Sequence, residues 1–134
     1  MRTFSIKGGA LYGWGENDNH GQLGLNDTSS RSSPIQLPGS WKSLQIHNHS
    51  LGIKSDGTLW TWGANEKGQL GQNDTSQLGN PKKLGTGTSW SKLASNGPSN
   101  TSAAITTNGE LWMMGSNSNG QMAQNNQVQY SSPV

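Results

Sequence analysis

The 134-residue chain contains no cysteine, which excludes disulfide bonds and thiolate metal sites. Aliphatic side chains are scarce, since leucine, isoleucine, valine and phenylalanine total 20 residues, and only 12% of the chain is charged. So few aliphatic residues indicate disorder when the net charge is also high, but the formal net charge here is only +2. Six tryptophans supply apolar area that the aliphatic count misses. We therefore expect a folded chain.

Other absences narrow the class of protein. No apolar run approaches the ~20 residues that span a bilayer, and residues 1–5 do not resemble a signal peptide, so we expect neither feature and expect cytoplasmic synthesis. Lysines and arginines are scattered, with only Lys82 and Lys83 adjacent, which makes nucleic acid an unlikely partner. No segment shows a sustained period of 3.6 residues, so little helix is expected.

A ten-residue phrase recurs along the chain, with the form Trp-Gly-x-Asn-x-x-Gly-Gln-Leu-Gly at residues 62–71. Residues 14–24 carry it with one extra residue, and residues 114–123 carry it in a degenerate form that begins with methionine. The Leu-aromatic pair ahead of the phrase recurs after 48 and then 52 residues, which indicates an array of similar structural units. The markers of this repeat are Trp14, Gly15, Gly21, Leu23, Gly24, Trp62, Gly63, Gly68, Leu70, Gly71, Gly115 and Gly120.

Each unit predicts short strands joined by turns. Asp56-Gly57 and Asn108-Gly109 predict two-residue hairpin turns in which both residues have positive φ. The pattern after Trp41 and Trp90 predicts a third strand. A fourth is predicted to begin at the proline that follows each phrase, Pro34 or Pro81, and to lie at the sheet edge. Four short antiparallel strands in about 50 residues are typical of a β-propeller blade. The predicted class is all-β.

Four features of the middle unit occur together: the phrase at 62–71, His49-Ser50-Leu51, residues 56–65 and Pro81. Their combination resembles the regulator of chromosome condensation repeat. The resemblance covers essentially the whole chain and is strongest in the middle unit. That family builds β-propellers, usually of seven blades, so the resemblance implies blades of this kind and a structural role for His49. The family's best-known activity, guanine-nucleotide exchange on a small GTPase together with chromatin binding, is implied only as an alternative function, because no wedge or basic tail is visible.

We predict a partial blade over residues 1–15, complete blades over 16–63 and 64–115, and the start of a further blade over 116–134. Because propellers have about four to eight blades, this many cannot close a ring, and exposed sheet edges seek partners. We hypothesise that the offset ends pair between chains, the alternatives being that they pack on other proteins or that the chain is a piece of a longer propeller. The residues assigned to these assembly edges are Thr3, Phe4, Ile6, Tyr130, Pro133 and Val134.

Motifs for catalysis and cofactor binding are absent from the sequence, including a phosphate-binding loop, His-Glu-x-x-His and a Gly-x-Ser-x-Gly elbow, so we predict neither an enzyme nor a cofactor. His47 and His49 share a strand face, but without a third ligand the pattern favours a structural role over a metal site. Trp60, Trp62 and Trp112 offer a stacking surface for a sugar, although packing between blades explains them more simply.

The leading functional hypothesis is a non-enzymatic structural or protein-interaction module that binds itself or other structural proteins through blade edges. The low charge of the chain and its abundant Asn, Ser, Thr, Gly and Gln resemble the composition of proteins in larger particles. By analogy we expect a virion subunit, such as part of a tail, fibre or capsid decoration. The alternatives are a guanine-nucleotide exchange or chromatin-binding propeller fragment and a carbohydrate-binding surface protein.

Overall fold

The structure is a computed structural model that describes residues 1–94 and 99–134. The described residues form β-strands, turns and loops, with no helix among them, which confirms the all-β class. The strands are β1 Arg2–Lys7, β2 Ala10–Gly15, β3 Arg31–Leu37, β4 Trp41–Ile46, β5 His49–Lys54, β6 Leu59–Gly63, β7 Leu78–Lys83, β8 Trp90–Ala94, β9 Thr101–Thr106 and β10 Leu111–Gly115.

The strands form three antiparallel sheets, each a blade of a partial β-propeller. The first has the order β1-β2-β3, the second β4-β5-β6-β7 and the third β8-β9-β10. The last residues extend the third sheet beyond β10, because Tyr130 exchanges backbone hydrogen bonds with Gly115, and Val134 does the same with Met113. The second and third sheets therefore carry all four strand positions, whereas the first has no strand beside the outer edge of β1 among the described residues.

The hydrogen bonds group the strands differently from the predicted blade segments. The sequence pattern assigns the segment around Pro34 to the second blade, but β3 pairs with β2, with Leu37 opposite Leu11, and so completes the first sheet. In the same way β7 pairs with β6, and the C-terminal residues pair with β10 instead of beginning a new sheet. Both proline-containing strands lie at sheet edges, as expected, although they begin three residues before the proline.

The predicted hairpins are present, but their predicted turn type is wrong. β5 pairs with β6, and β9 with β10, across the two predicted turns. Only the glycine of each turn has positive φ, +82° at Gly57 and +86° at Gly109, whereas Asp56 and Asn108 are not in the left-handed region. The bond from the Gly57 amide to the Lys54 carbonyl matches a three-residue loop that ends in a left-handed glycine.

The core lies between the sheets, in two clusters. Between the first and second sheets, Leu11, Leu37, Trp41 and Trp62 are all at most 2% exposed. Between the second and third sheets, a second cluster contains the buried residues Leu51, Ile53, Leu59, Leu84, Ala104 and Met114. Face-to-face packing of successive sheets is the arrangement of neighbouring blades in a propeller.

The degenerate third repeat has a strained residue. Ala123 has a φ of +56°, at the position where the first two repeats place Gly24 (+73°) and Gly71 (+67°). Because a Cβ atom is unfavourable in the left-handed region, Ala123→Gly is expected to raise the free energy of unfolding by about 0.5 to 1 kcal/mol, measured by urea denaturation. Ala10→Gly, in a regular strand, is the matched control and should lower it by a similar amount. Equal losses in both variants would contradict the prediction.

Candidate protein-interaction surface

The loop after each Trp-Gly or Met-Gly pair is built around one buried asparagine. Asn65 is 0% exposed; its amide nitrogen donates to the carbonyl oxygens of Asp74 and Ser76, and its carbonyl oxygen accepts from the Leu70 amide at 3.0 Å. Asn17 makes all three corresponding bonds in the first repeat, and Asn117 in the third repeat bonds to the Asn126 carbonyl and accepts from the Met122 amide. The phrase therefore encodes a compact loop whose polar groups bond to each other.

Hydrogen bonds from these loops also join successive sheets. The backbone amide of Asn26 donates to the Gly79 carbonyl at 2.8 Å, and the backbone amide of its counterpart Asn73 donates to the Ser131 carbonyl at 2.6 Å. The Trp62 indole nitrogen donates to the Gln22 carbonyl at 2.9 Å across the first junction. The first two loops are thus each held on one side by their own sheet and on the other by the next sheet, which gives successive blades a fixed mutual arrangement.

His49 fastens the second sheet to the third. The Ser102 hydroxyl donates to the Gln69 carbonyl at 2.7 Å, so the His49 Nε2–H donates to the Ser102 Oγ at 2.8 Å. His49 is 1% exposed, and its Nδ1 atom has no hydrogen-bond partner among the described residues. Burial, reinforced by the neighbouring His47, lowers the pKa of His49 to about 4. The side chain is therefore neutral at physiological pH and structural in its contacts.

The outer face of the first sheet is the clearest uncovered surface. Leu11 and Gly13 of β2 are buried against the second sheet, so strand alternation turns Tyr12 and Trp14 to the opposite face, where both are only partly buried. With Ser5, Lys7 and Pro34 they line an open cavity of about 330 Å³. At the same position of the second sheet, Trp62 is 0% exposed because the first sheet covers it. The first sheet therefore presents a packing face without a neighbouring blade among the described residues.

The predicted assembly residues lie in two different environments. Phe4 and Ile6 pack on the cluster between the first and second sheets, and Thr3 is exposed on the same strand, which has a free backbone edge. Tyr130 and Val134 already pair with β10 of the same chain. A role of these residues and of Pro133 in pairing with a second chain stays a prediction, and among the described residues the β1 edge offers unpaired backbone for it.

The alternatives raised for the histidines and tryptophans have little support in the geometry. No group of three or more metal-ligating side chains occurs in residues 1–94 and 99–134. Trp62 is fully buried, which removes it from any sugar-stacking surface, while Trp112 is 36% exposed. The described residues include no helix that is long and apolar enough to cross a membrane.

Models of the Regulator of chromosome condensation (RCC1) repeat match residues 8–47, 47–69 and 97–121. A human relative, probable E3 ubiquitin-protein ligase HERC4, is 35% identical over 121 residues, or 85% of this chain. The chain belongs to the RCC1 repeat family. This membership confirms the resemblance found in the phrase and accounts for the three repeated loops.

The relatives are much longer proteins. The chain spans 11% of human HERC4 and 12% of the human X-linked retinitis pigmentosa GTPase regulator, to which it is 36% identical over 87% of its own length. The match to HERC4 therefore covers RCC1 repeats within a large protein.

Solved RCC1-type structures share the fold. Human WBSCR16 superimposes on 99% of this chain with a TM-score of 0.81 and 25% identity, and the chain spans 35% of it. Prp20p from Saccharomyces cerevisiae gives a TM-score of 0.82 with 20% identity, again with 35% of that chain covered. The three sheets are thus a partial β-propeller of the RCC1 type.

Proposed function

We propose that this chain is a non-enzymatic protein-interaction module that accepts a β-strand from another polypeptide segment at the free edge of β1. One observation carries the proposal: the backbone edge of β1 is unpaired and Trp14, one strand further in, is partly exposed, whereas Trp62 at the corresponding position is buried beneath the first sheet and the Trp41 ring of the edge strand. An unpaired edge next to an apolar face is a template for strand addition.

The second sheet indicates how the added strand is held. There β4 occupies the edge and places the Trp41 ring at 6.5 Å from Trp60 and 5.8 Å from Trp62, in edge-to-face contact. In the first sheet, Tyr12 and Trp14 stand where Trp60 and Trp62 stand in the second. An incoming strand with a tryptophan near its start meets Tyr12 and Trp14, in addition to forming backbone hydrogen bonds. Its ring must pass Ser5, which stands where the second sheet has Gly52 directly beneath the Trp41 ring.

A synthetic peptide of residues 38–48, which contains the β4 sequence, tests this mechanism. We expect a fluorescein-labelled peptide to bind the full chain in an anisotropy titration. Affinity should fall at least about tenfold when the peptide's tryptophan is replaced by serine, and also when Trp14→Ser is introduced into the chain. Trp112→Ser, at a partly exposed position on the third sheet, is the matched control and should bind as the wild type does. If the peptide does not bind the wild-type chain, or if the Trp14→Ser and Trp112→Ser chains bind it equally, the strand-acceptor function is rejected.

A second candidate is the exchange and chromatin function. The structural neighbour Prp20p is described as binding Gsp1p and histones, and yeast RCC1 has been solved in complex with Kap60. These partners favour a propeller fragment with protein contacts of that kind over a virion component, which neither the described residues nor the comparisons support. Faster release of fluorescent GDP from Gsp1p in the presence of the chain would establish the exchange activity, and retention on immobilised histones would establish the chromatin contact.

A further inference from the structure

A second cavity lies between the first and second sheets, away from the β1 edge. Its volume is about 340 Å³, at the lower end of the range for ligand sites. Leu25, Pro38 and Pro81 contribute apolar walls, and Trp60 and the side chain of Lys54 are also part of the lining. This groove is predominantly apolar and has one cationic side chain.

Lys54 is held over two aromatic rings. Its ammonium nitrogen is 3.7 Å from the centroid of Trp60 and 5.1 Å from that of Trp41. It forms no ion pair within 4 Å with any carboxylate in the part of the chain that the structure describes. Partial burial lowers the pKa of Lys54, and the more distant Asp56 opposes that shift. The ring faces position the ammonium group, but they do not supply the anion that a lysine favours.

The blade architecture does not require this set of residues. At the first junction Lys54 lies opposite Trp41 in the strand pairing. At the second junction the corresponding position opposite Trp90 is occupied by Thr106. The residue after the last glycine of the phrase is Leu25 at the first junction and Gln72 at the second. The side-chain amide of Gln72 bonds within its own sheet, to the Thr61 hydroxyl and to the carbonyl oxygens of residues 82 and 83. The combination of a lysine with apolar walls is thus specific to one junction and points to a ligand.

We infer that this groove binds an acidic peptide segment, with a carboxylate on Lys54 and a neighbouring apolar side chain against Leu25, Pro38 and Pro81. The side chains of Asn26 and Asn80 at the groove offer donors and acceptors to the peptide backbone. A carboxylate matches the single cation, and the walls favour an apolar neighbour over a hydrated ion. The site goes beyond the proposed strand acceptor, because it involves neither β1 nor Trp14.

The test is an NMR titration of the isotope-labelled full chain with N-acetyl-Leu-Glu-Pro-amide, followed through the indole N–H of Trp60. We expect saturable shifts at Trp60 and at the amides of Leu25 and Asn26. The counterpart peptide with glutamine in place of glutamate should bind at least about tenfold more weakly. Sodium acetate at the same concentration should produce no comparable shifts, because it lacks the apolar neighbour.

Three variants separate charge from folding. Lys54→Met keeps the aliphatic stem and should weaken binding at least about tenfold, whereas Lys54→Arg keeps the charge and should stay within about threefold of wild type. Lys92→Met removes a lysine of β8, outside the groove, and should leave binding unchanged. Equal affinities for the glutamate and glutamine peptides, or unchanged binding in Lys54→Met, would overturn the inference. None of these readouts depends on the β4 peptide, so this site and the strand acceptor succeed or fail separately.

Discussion

Replacing Trp62 with alanine is expected to lower the free energy of unfolding by about 3 to 5 kcal/mol, the usual cost of removing a large aromatic side chain from a core. Trp62 is 0% exposed, packs edge-on against Trp41 at 5.8 Å and donates its indole hydrogen to the Gln22 carbonyl. Its loss removes a large apolar contact between the first and second sheets together with a buried hydrogen bond. Thermal unfolding followed by circular dichroism should show a midpoint lower by more than about 10 °C.

Two further variants separate packing from hydrogen bonding at this junction. Trp62→Phe keeps most of the apolar volume but leaves the Gln22 carbonyl without its donor, and should cost about 1 to 3 kcal/mol. Trp112→Ala removes a tryptophan that is 36% exposed, and is the control for the residue type, with an expected loss well below that of Trp62→Ala. If Trp62→Ala and Trp112→Ala unfold at the same temperature, the first junction does not depend on Trp62.

Much of the fold follows from local sequence. The repeated phrase and the turn glycines Gly57 and Gly109 depend on residues close together in the chain, and they predict the hairpins and the all-β class correctly. The strands after Trp41 and Trp90 are predictable for the same reason, because the two segments share a pattern. Local signals of this kind survive in a single sequence since turn geometry restricts the residue types at each position.

The grouping of strands into sheets does not follow from the same signals. The sequence of β3 indicates an edge strand through Pro34, but an edge strand pairs equally well in principle with the strand before it or the strand after it. The choice is made by tertiary packing: Leu37 enters the cluster with Leu11 and Trp41, which fixes β3 beside β2. Information of that kind is distributed over three strands and is not contained in any one of them.

The bonding partners of the side chains that join and shape the blades are also beyond sequence reasoning. The Asn65 amide bonds to carbonyls nine and eleven residues away, and His49 meets Ser102 across 53 residues. The recurrence of asparagine at the fourth position of the phrase is the available signal for the loop asparagines. The Lys54 groove has no such signal, because its walls come from different repeats and its lysine occurs only at the first junction.

Lowering the pH from 6.5 to about 4.5 is expected to destabilise the junction between the second and third sheets through His49. Burial lowers the pKa of His49 to about 4 in the folded chain, whereas it titrates at 6.5 when unfolded. Above pH 6.5 the side chain is neutral in both states and contributes no pH dependence. Between pH 6.5 and pH 4 only the unfolded chain gains a proton at this side chain. The free energy of unfolding therefore decreases as the pH is lowered, by about 3 kcal/mol in total.

The contacts of His49 explain why the folded chain resists that proton. Protonation would place a charge at a side chain that is 1% exposed, with a donor at Nδ1 that meets no acceptor among the described residues. Urea denaturation at several pH values should therefore show a slope in the wild type that is reduced in His49→Gln and kept in His20→Gln, a partly exposed histidine. Carboxylates whose pKa is lowered in the folded chain, such as Asp27 and Asp56, add their own loss only below about pH 5, so the slope between pH 6.5 and 5 separates His49 from them. A slope between pH 6.5 and 5 that persists in His49→Gln would assign the acid sensitivity to another group.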